Sequence, residues 1–542
     1  MKHGGDVVAR VLHRHNIKWV FTLCGGHISP VLTACKKRGI QVIGVRHEAT
    51  AVFAADAVSR LSGKIGVAVV TAGPGLTNTI TAIKNAQLAQ SPVLILGGAT
   101  ATVLKDRGSL QDIDHISLTK SVTKHSRSIK RVQKIQPTLE TLIPIATSGV
   151  PGPVYLELPV DLLYPEPIVR EWYGLKADGK SMPWWMAGYL NWNVNQLFKN
   201  KDRPYIKTST PTKTKPPSIY LNKVLNMIQS SRKPVLLIGS QAMLVPGKGE
   251  ELVKNIETLG LPVFVSGTAR GILSKTKLSV YRHMRKSALK DTDLVILAGV
   301  PCDFRLDYGR HINHRAKTIA INLSRKDLYL NRRPTVGIVS DPCSFLIELG
   351  QNITIGNWQD WHNILIKRDL ERTAEIAKQG NEKTDFVNPI KLCSFIDQEL
   401  RDGDIIVADG GDFVATSSYV LRPRSLMGWL DPGVFGTLGV GAGFILGAHF
   451  TNPDSLIWAV FGDGAFGFSM MEFDTFARYN IPVVAVIGND SCWSQIARDQ
   501  VVFLNDPVGT ELSATKYHKA VDGLGGDGYF IDSEHQIQDV LS

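Results

Sequence analysis

Cysteine is scarce. Six stand in 542 residues, at Cys24, Cys35, Cys302, Cys343, Cys393 and Cys492, with no CxxC pair and no zinc-ligand spacing. That excludes a disulfide scaffold and suits a reducing compartment, where the thiols are small buried side chains. Long apolar runs are lacking too. The uncharged stretch 433–448 holds six glycines, which makes it too short and too glycine-rich to cross a bilayer. No secretory signal pattern opens the chain, and no aromatic-basic module of the nucleic-acid-binding kind stands out, so nucleic acid is not expected as a partner. What is present is a core: 44% of residues are hydrophobic and 20% charged, which excludes disorder. The length calls for several domains. Net charge is +12, with a local excess. Nine Lys or Arg between Lys199 and Lys233 face one acid, Asp202, in a Pro- and Thr-rich stretch. A solvated linker explains them, and so does a phosphate or membrane surface.

Apolar strands alternate with helical spacing three times. The first set runs Ile17 to Leu23, Ile40 to Val45, Ile65 to Val70, Val93 to Leu96 and Val154 to Leu158, with helices expected from His47 to Leu61 and from Leu76 to Leu88. The second holds Val235 to Ile238, Val263 to Val265, Leu294 to Ala298 and Thr318 to Ile321; the third holds Ile405 to Ala408, Leu456 to Phe461 and Val483 to Ile487. Continuous apolar strands between helices predict parallel sheets covered on both faces. The expected fold is α/β, with three doubly wound, mainly parallel-sheet domains over 1–165, 219–352 and 386–542. Residues 166–218 and 353–385 are expected to be linkers.

Two strand ends carry most of the chemistry. Gly462-Asp463-Gly464 follows Ile457 to Phe461. A glycine turn there bares backbone N–H groups for a phosphate, and an Asp adds a hard oxygen for a divalent cation. Alone, this is a common turn. A second strand ends in Gly488-Asn489-Asp490, with Asp490 twenty-seven residues after Asp463, one strand–helix–strand step. Adjacent strands would bring both oxygens to one point. Glu48 opens a helix apolar on most sides (Ala49, Ala51, Val52, Phe53, Ala54, Ala55). A carboxyl at the mouth of a buried element can share a proton.

These motifs resemble those of the thiamine-diphosphate enzymes, the superfamily of 2-keto acid decarboxylases, acetohydroxyacid synthases and 2-hydroxyacyl-CoA lyases. The resemblance covers nearly the whole chain. Arg46-His47-Glu48 is similar to the family's activating-glutamate motif, residues 71–78 (TAGPGLTN) to its first-domain turn, and residues 151–161 to its first-domain end. Residues 25–30 (GGHISP) and 429–441 look like the 2-hydroxyacyl-CoA lyase and oxalyl-CoA decarboxylase branch. The family implies thiamine diphosphate and Mg2+ as cofactors, bound between pyrimidine-binding and diphosphate-binding domains of a homodimer or homotetramer. It implies that Glu48 hydrogen-bonds the pyrimidine and helps to activate the thiazolium carbon, with Gln111 and His27 beside the substrate. Cofactor contacts would come from Gly73, Asn78, Gly411, Asp412, Gly436, Leu438, Gly462, Asp463, Gly464, Ala465 and Asp490. Leu438 would underlie the bent cofactor, and the Gly436 carbonyl would meet the pyrimidine amine. The metal would take Asp463, Asp490 or Asn489, and the backbone oxygen of Cys492. The family usually has Asn where Asp490 stands; the spacing favours Asp490.

The favoured reaction is cleavage of a 2-hydroxyacyl-CoA to an aldehyde one carbon shorter and formyl-CoA. Carboligation of 2-keto acids and a catalytically incomplete, partner-binding form are the alternatives. The substrate is accordingly an acyl-CoA or a 2-keto acid. Arg270 and Asp303-Phe304-Arg305 are candidate nucleotide contacts of the central domain, which has no clear GxGxxG. By resemblance the chain is expected at the cytosolic face of the endoplasmic reticulum membrane, although without an anchor it reads as cytoplasmic. The C-terminal domain is expected to be incomplete, since the family continues for about another strand and tail. The segment Pro183 to Tyr205, with Trp184, Trp185, Tyr189 and Trp192, is expected either to pack between domains or to meet a lipid surface or an acyl chain.

Overall fold

A computed structural model describes residues 3–175, 182–199, 219–274, 280–353 and 356–541. It divides into two compact units.

The first unit is built on a six-stranded parallel sheet in the order Gln41–Gly44, Trp19–Thr22, Gly66–Val70, Val93–Ala99, Val154–Pro159, His125–Ser128. Three of its four inner strands, Gly66–Val70, Val93–Ala99 and Val154–Pro159, are buried at every position, as uninterrupted apolar runs require. The edge strand His125–Ser128 is polar and half-exposed, so it carries no hydrophobic pattern. The unit also takes in residues 442–450. There Gly443 and Gly447 allow backbone contact with the helix Glu48–Ser62: a Cβ on Gly447 would lie 2.4 Å from the Ala54 carbonyl oxygen.

The second unit holds two parallel sheets. One has six strands in the order Val336–Val339, Lys317–Asn322, Leu294–Ala298, Pro234–Ile238, Val263–Val265, Val280–Tyr281. The other has four, Trp429–Leu430, Ile405–Asp409, Ile457–Gly462 and Val483–Gly488. Three parallel-sheet α/β layers match the expected fold class. The edges His125–Ser128, Val280–Tyr281, Val336–Val339 and Trp429–Leu430 are the ones the sequence hides, because two or four residues are too few to show a period, whereas the edges Gln41–Gly44 and Val483–Gly488 fall in the expected apolar runs.

The aromatic helix Trp184–Phe198 is two-sided. Val194, Leu197 and Phe198 join the core of the first unit. Trp184, Trp185, Tyr189 and Trp192 are exposed. The basic residues Lys201, Arg203, Lys207, Lys213 and Lys215 lie outside the described residues. The expected place at the endoplasmic reticulum membrane is corrected: among the described residues no helix is long and apolar enough to cross a membrane, and that assignment is dropped.

Candidate active site

In the first unit the strand ends gather one set of polar groups. Glu48 is 5% exposed at the start of its helix, where its charge suits the exposed N–H groups of the first turn. Asn78 donates from Nδ2 to Glu48 Oε2 at 3.0 Å. A Cβ on Gly75 would come within 2.7 Å of Thr71 Cγ2 and 3.8 Å of Glu48 Oε1, so this turn is packed onto the carboxylate. His27 Nδ1 lies 3.2 Å from Thr71 Oγ1. Burial, and then the neighbouring His115, lower the His27 pKa. Gly73 sits at φ +58° and Gln111 at φ +63°. The second is unusual for a residue with a side chain, and strained backbone of this kind collects at functional sites. The two loops touch: a Cβ on Gly73 would fall 2.8 Å from Gln111 Cβ. Glu48, Asn78, Gly73, Gln111 and His27 thus lie on loops and helix starts at one edge of the sheet.

Two members of this neighbourhood escaped the motif search. His115 and Glu157 are each 2% exposed and hydrogen-bonded to one another. The available signal was Glu157, a lone acid inside the apolar strand Val154–Pro159.

In the second unit the ends of three strands converge. Gly410 and Gly411 have φ +70° and +86°, left-handed values that glycine adopts without penalty. They turn the chain from strand Ile405–Asp409 into helix Gly411–Val420. The Gly462 N–H donates to the Gly410 carbonyl at 3.1 Å. The helix after Gly462 starts at Asp463, because Gly462 is extended and Asp463 supplies first-turn charge. Asp463 Oδ1 accepts from its neighbour Gly464 N–H at 2.8 Å, while Oδ2 is buried with no partner among the described residues. Burial raises the Asp463 pKa, and the charge of Asp490 adds to the rise.

Asp490 accepts from Cys492 N–H at 3.3 Å and from Ser494 Oγ at 2.5 Å. Asn489 instead donates to the Thr515 carbonyl at 3.1 Å. Leu438 and Ala465 flank Gly410: a Cβ there would meet Leu438 Cδ2 at 2.4 Å and Ala465 Cβ at 2.7 Å. Gly436, at φ +63°, has open space on its Cβ side. Asp412 is ion-paired with Arg498. Asp409, at the end of the strand before Gly410, is fully buried. It accepts from the N–H groups of Gly439 and Gly441 at 3.1 and 2.8 Å, and burial pushes its carboxyl up to about 7.

The candidate nucleotide contacts of the central domain are engaged elsewhere. Arg270 lies over the Trp429 ring, 4.7 Å from its centroid, and donates to the Ser418 carbonyl. Arg305 is bonded to Asp303. Arg270 and Arg282 together cap carbonyls at the end of helix Gly411–Val420, where cations are favoured.

A glycine-lined strand edge with an unpartnered buried carboxylate oxygen suits a diphosphate and its cation. Comparison with known proteins agrees as to the diphosphate. Residues 2–118 match the family model "Thiamine pyrophosphate enzyme, N-terminal TPP binding domain", residues 221–349 its central domain and residues 409–542 its C-terminal TPP binding domain. The chain belongs to the thiamine pyrophosphate enzymes and binds thiamine diphosphate. Within them it is 46% identical to "2-hydroxyacyl-CoA lyase 2" of Danio rerio, over 100% of this chain and 89% of that protein. It is 44% identical to the Homo sapiens protein of the same name, over 99% of this chain and 86% of that protein. The acetolactate synthase large subunit IlvG of Mycobacterium tuberculosis is 29% identical, over 99% of this chain and 93% of that protein.

Proposed function

We propose that the chain is a thiamine-diphosphate- and Mg2+-dependent carbon–carbon lyase that cleaves 2-hydroxyacyl-CoA. The full-length similarity to proteins named 2-hydroxyacyl-CoA lyase 2 carries the choice of substrate. The buried, unpartnered Asp463 Oδ2 supports the cation. Among the described residues no group of three acidic, His or Cys side chains could hold a metal. Mg2+ would therefore take Asp463 and Asp490, the Cys492 carbonyl, and oxygens of the diphosphate. Asn489, already bonded to Thr515, is the weaker candidate.

Backbone N–H groups at Gly411, Asp412, Gly462, Gly464 and Ala465 would hold the diphosphate. Leu438 would support the cofactor from below, and the Gly436 carbonyl would receive the pyrimidine amine. Glu48, oriented by Asn78, would hold and exchange a proton with the pyrimidine, and Gly73 would line the same ring. When bound, the cofactor supplies an electron sink for the carbon–carbon bond.

His27, kept neutral by burial, is suited to take the proton of the substrate 2-hydroxyl. Gln111 would orient the thioester. The bond between C1 and C2 breaks. C2 leaves as the shortened aldehyde, and C1, which gains a proton, leaves as formyl-CoA. Family precedent favours a homodimer or homotetramer.

Incubation with a 2-hydroxyacyl-CoA and, in parallel, with pyruvate, followed by product identification, tests the reading. Formyl-CoA and aldehyde support it. Acetolactate from pyruvate alone would favour the second reading, which the similarity to the mycobacterial acetolactate synthase subunit keeps in play.

A further inference from the structure

The buried pair His115–Glu157 has no role in the site described above, although Glu157 falls within the 151–161 segment. Gly73 N–H donates to His115 Nε2 at 3.0 Å. On the other side of the ring, Nδ1 lies 2.9 Å from Glu157 Oε2. A backbone N–H can only donate, so Nε2 must carry a lone pair. The ring proton is then on Nδ1, where it donates to the carboxylate. Glu157 is itself fixed: Ser128 Oγ donates to Oε1 at 2.6 Å, and Lys105 Nζ is 3.7 Å from the same oxygen. Burial alone would raise the Glu157 pKa, but the hydrogen bonds from His115 and Ser128 and the charge of Lys105 outweigh it and hold the pKa below its ordinary value. One tautomer of His115 is therefore selected by the residues on both sides of it.

The bond to Gly73 joins a glycine turn to the strained segment at Gln111. Gly73 leads into helix Pro74–Thr77 at φ +58° and ψ −111°. Gln111, at φ +63°, lies four residues before His115 in the chain. The Gln111 backbone sits in a conformation that needs outside contacts to persist, whereas glycine adopts that of Gly73 without penalty. Their close approach leaves no room for a Cβ on Gly73, which would lie 3.0 Å from both Gln111 Cα and its carbonyl oxygen.

We propose that His115, oriented by Glu157, is a positioning residue that locks the Gly73 turn against the Gln111 loop and so sets where Gln111 meets the substrate. The role assigned to Gln111 rests on the function proposed above; the lock itself does not.

Two variants of the full chain separate the lock from simple packing. In His115→Gln the side-chain oxygen can stand where Nε2 stood and still accept from Gly73. In His115→Asn the shorter amide can serve Glu157 but cannot reach Gly73. Deuterium exchange of the peptide that contains Gly73 is measured without substrate, together with a melting curve, kcat and KM. The expected result is that His115→Asn exposes the Gly73 amide to exchange and lowers kcat by about a hundredfold, the scale of a small misplacement of reacting groups. His115→Gln should keep the protection and stay within about tenfold of wild type in kcat.

Wild-type protection in His115→Asn, or equal losses in both variants, would overturn the proposal. So would lost protection with unchanged kcat. If wild type turns over pyruvate and no 2-hydroxyacyl-CoA, the substrate assignment fails by itself, and the same kcat ratios on pyruvate decide the lock.

Discussion

Replacing Asp409 by Asn should change how stability depends on pH, and the structure sets both sign and size. Asp409 is fully buried at the end of its strand, and its carboxyl titrates at about 7 instead of its ordinary 3.8. Between these values the folded protein holds a proton that the unfolded chain has already released. The folded pKa is raised, so the stabilising contribution is fully present below about pH 4 and is gone above about pH 7. Some three units at about 1.4 kcal/mol each give a swing of about 4 kcal/mol.

Asn does not titrate. Its carbonyl can accept from one of the two N–H groups now bonded to Asp409, those of Gly439 and Gly441. The other would face an amide that only donates, at a cost of about 1–3 kcal/mol at every pH. The variant should therefore be less stable than wild type near pH 4.5, and equal or more stable near pH 8. The gap in melting temperature should change across the window by about 4–6 °C, since the entropy of unfolding grows with chain length. Melting both proteins without cofactor from pH 4 to 8 measures it. A gap that stays constant would refute the assignment of the proton to Asp409.

Three other substitutions probe the proposed site. Glu48→Gln can still accept from Asn78, so melting should hardly move, while turnover should fall by about 10²–10⁴-fold; a rate near wild type, read in a steady-state assay, would remove Glu48 from the chemistry. Asp463→Ala should abolish Mg2+-dependent binding of thiamine diphosphate, and Asp490→Ala should weaken it more than Asn489→Ala, as followed by cofactor titration with and without Mg2+. A dominant effect at Asn489 would move the ligand by one residue. Gly410→Ala places a Cβ 2.4 Å from Leu438 Cδ2 on a backbone at φ +70°. It should cost about 2–5 kcal/mol in strain and overpacking and lower cofactor affinity, seen by melting with and without cofactor.

The sheets were readable because parallel strands buried on both faces must be written as unbroken apolar runs, as Val93 to Leu96 is. The same physics hid His125–Ser128, a half-exposed edge with no apolar requirement. Turn residues such as Gly411, Gly462 and Gly464 were legible because the close backbone approaches there leave little choice of side chain. Partners that meet only in three dimensions were not. His115 and Glu157 lie forty-two residues apart in sequence, and nothing local links them beyond one acid in an apolar strand. Arg270, a candidate nucleotide contact from sequence, packs against residues that nothing local in the sequence places beside it. Its real partners, Trp429 and Ser418, come from distant sequence.

The proposed reaction has one direct test. A 2-hydroxyacyl-CoA labelled with 13C at its thioester carbon is incubated with the protein, thiamine diphosphate and Mg2+, and the products are resolved by mass spectrometry. The account predicts that all label appears in formyl-CoA, with an unlabelled aldehyde one carbon shorter. Intact substrate under conditions where the same preparation converts pyruvate to acetolactate, or label retained in a longer carbon chain, would contradict it.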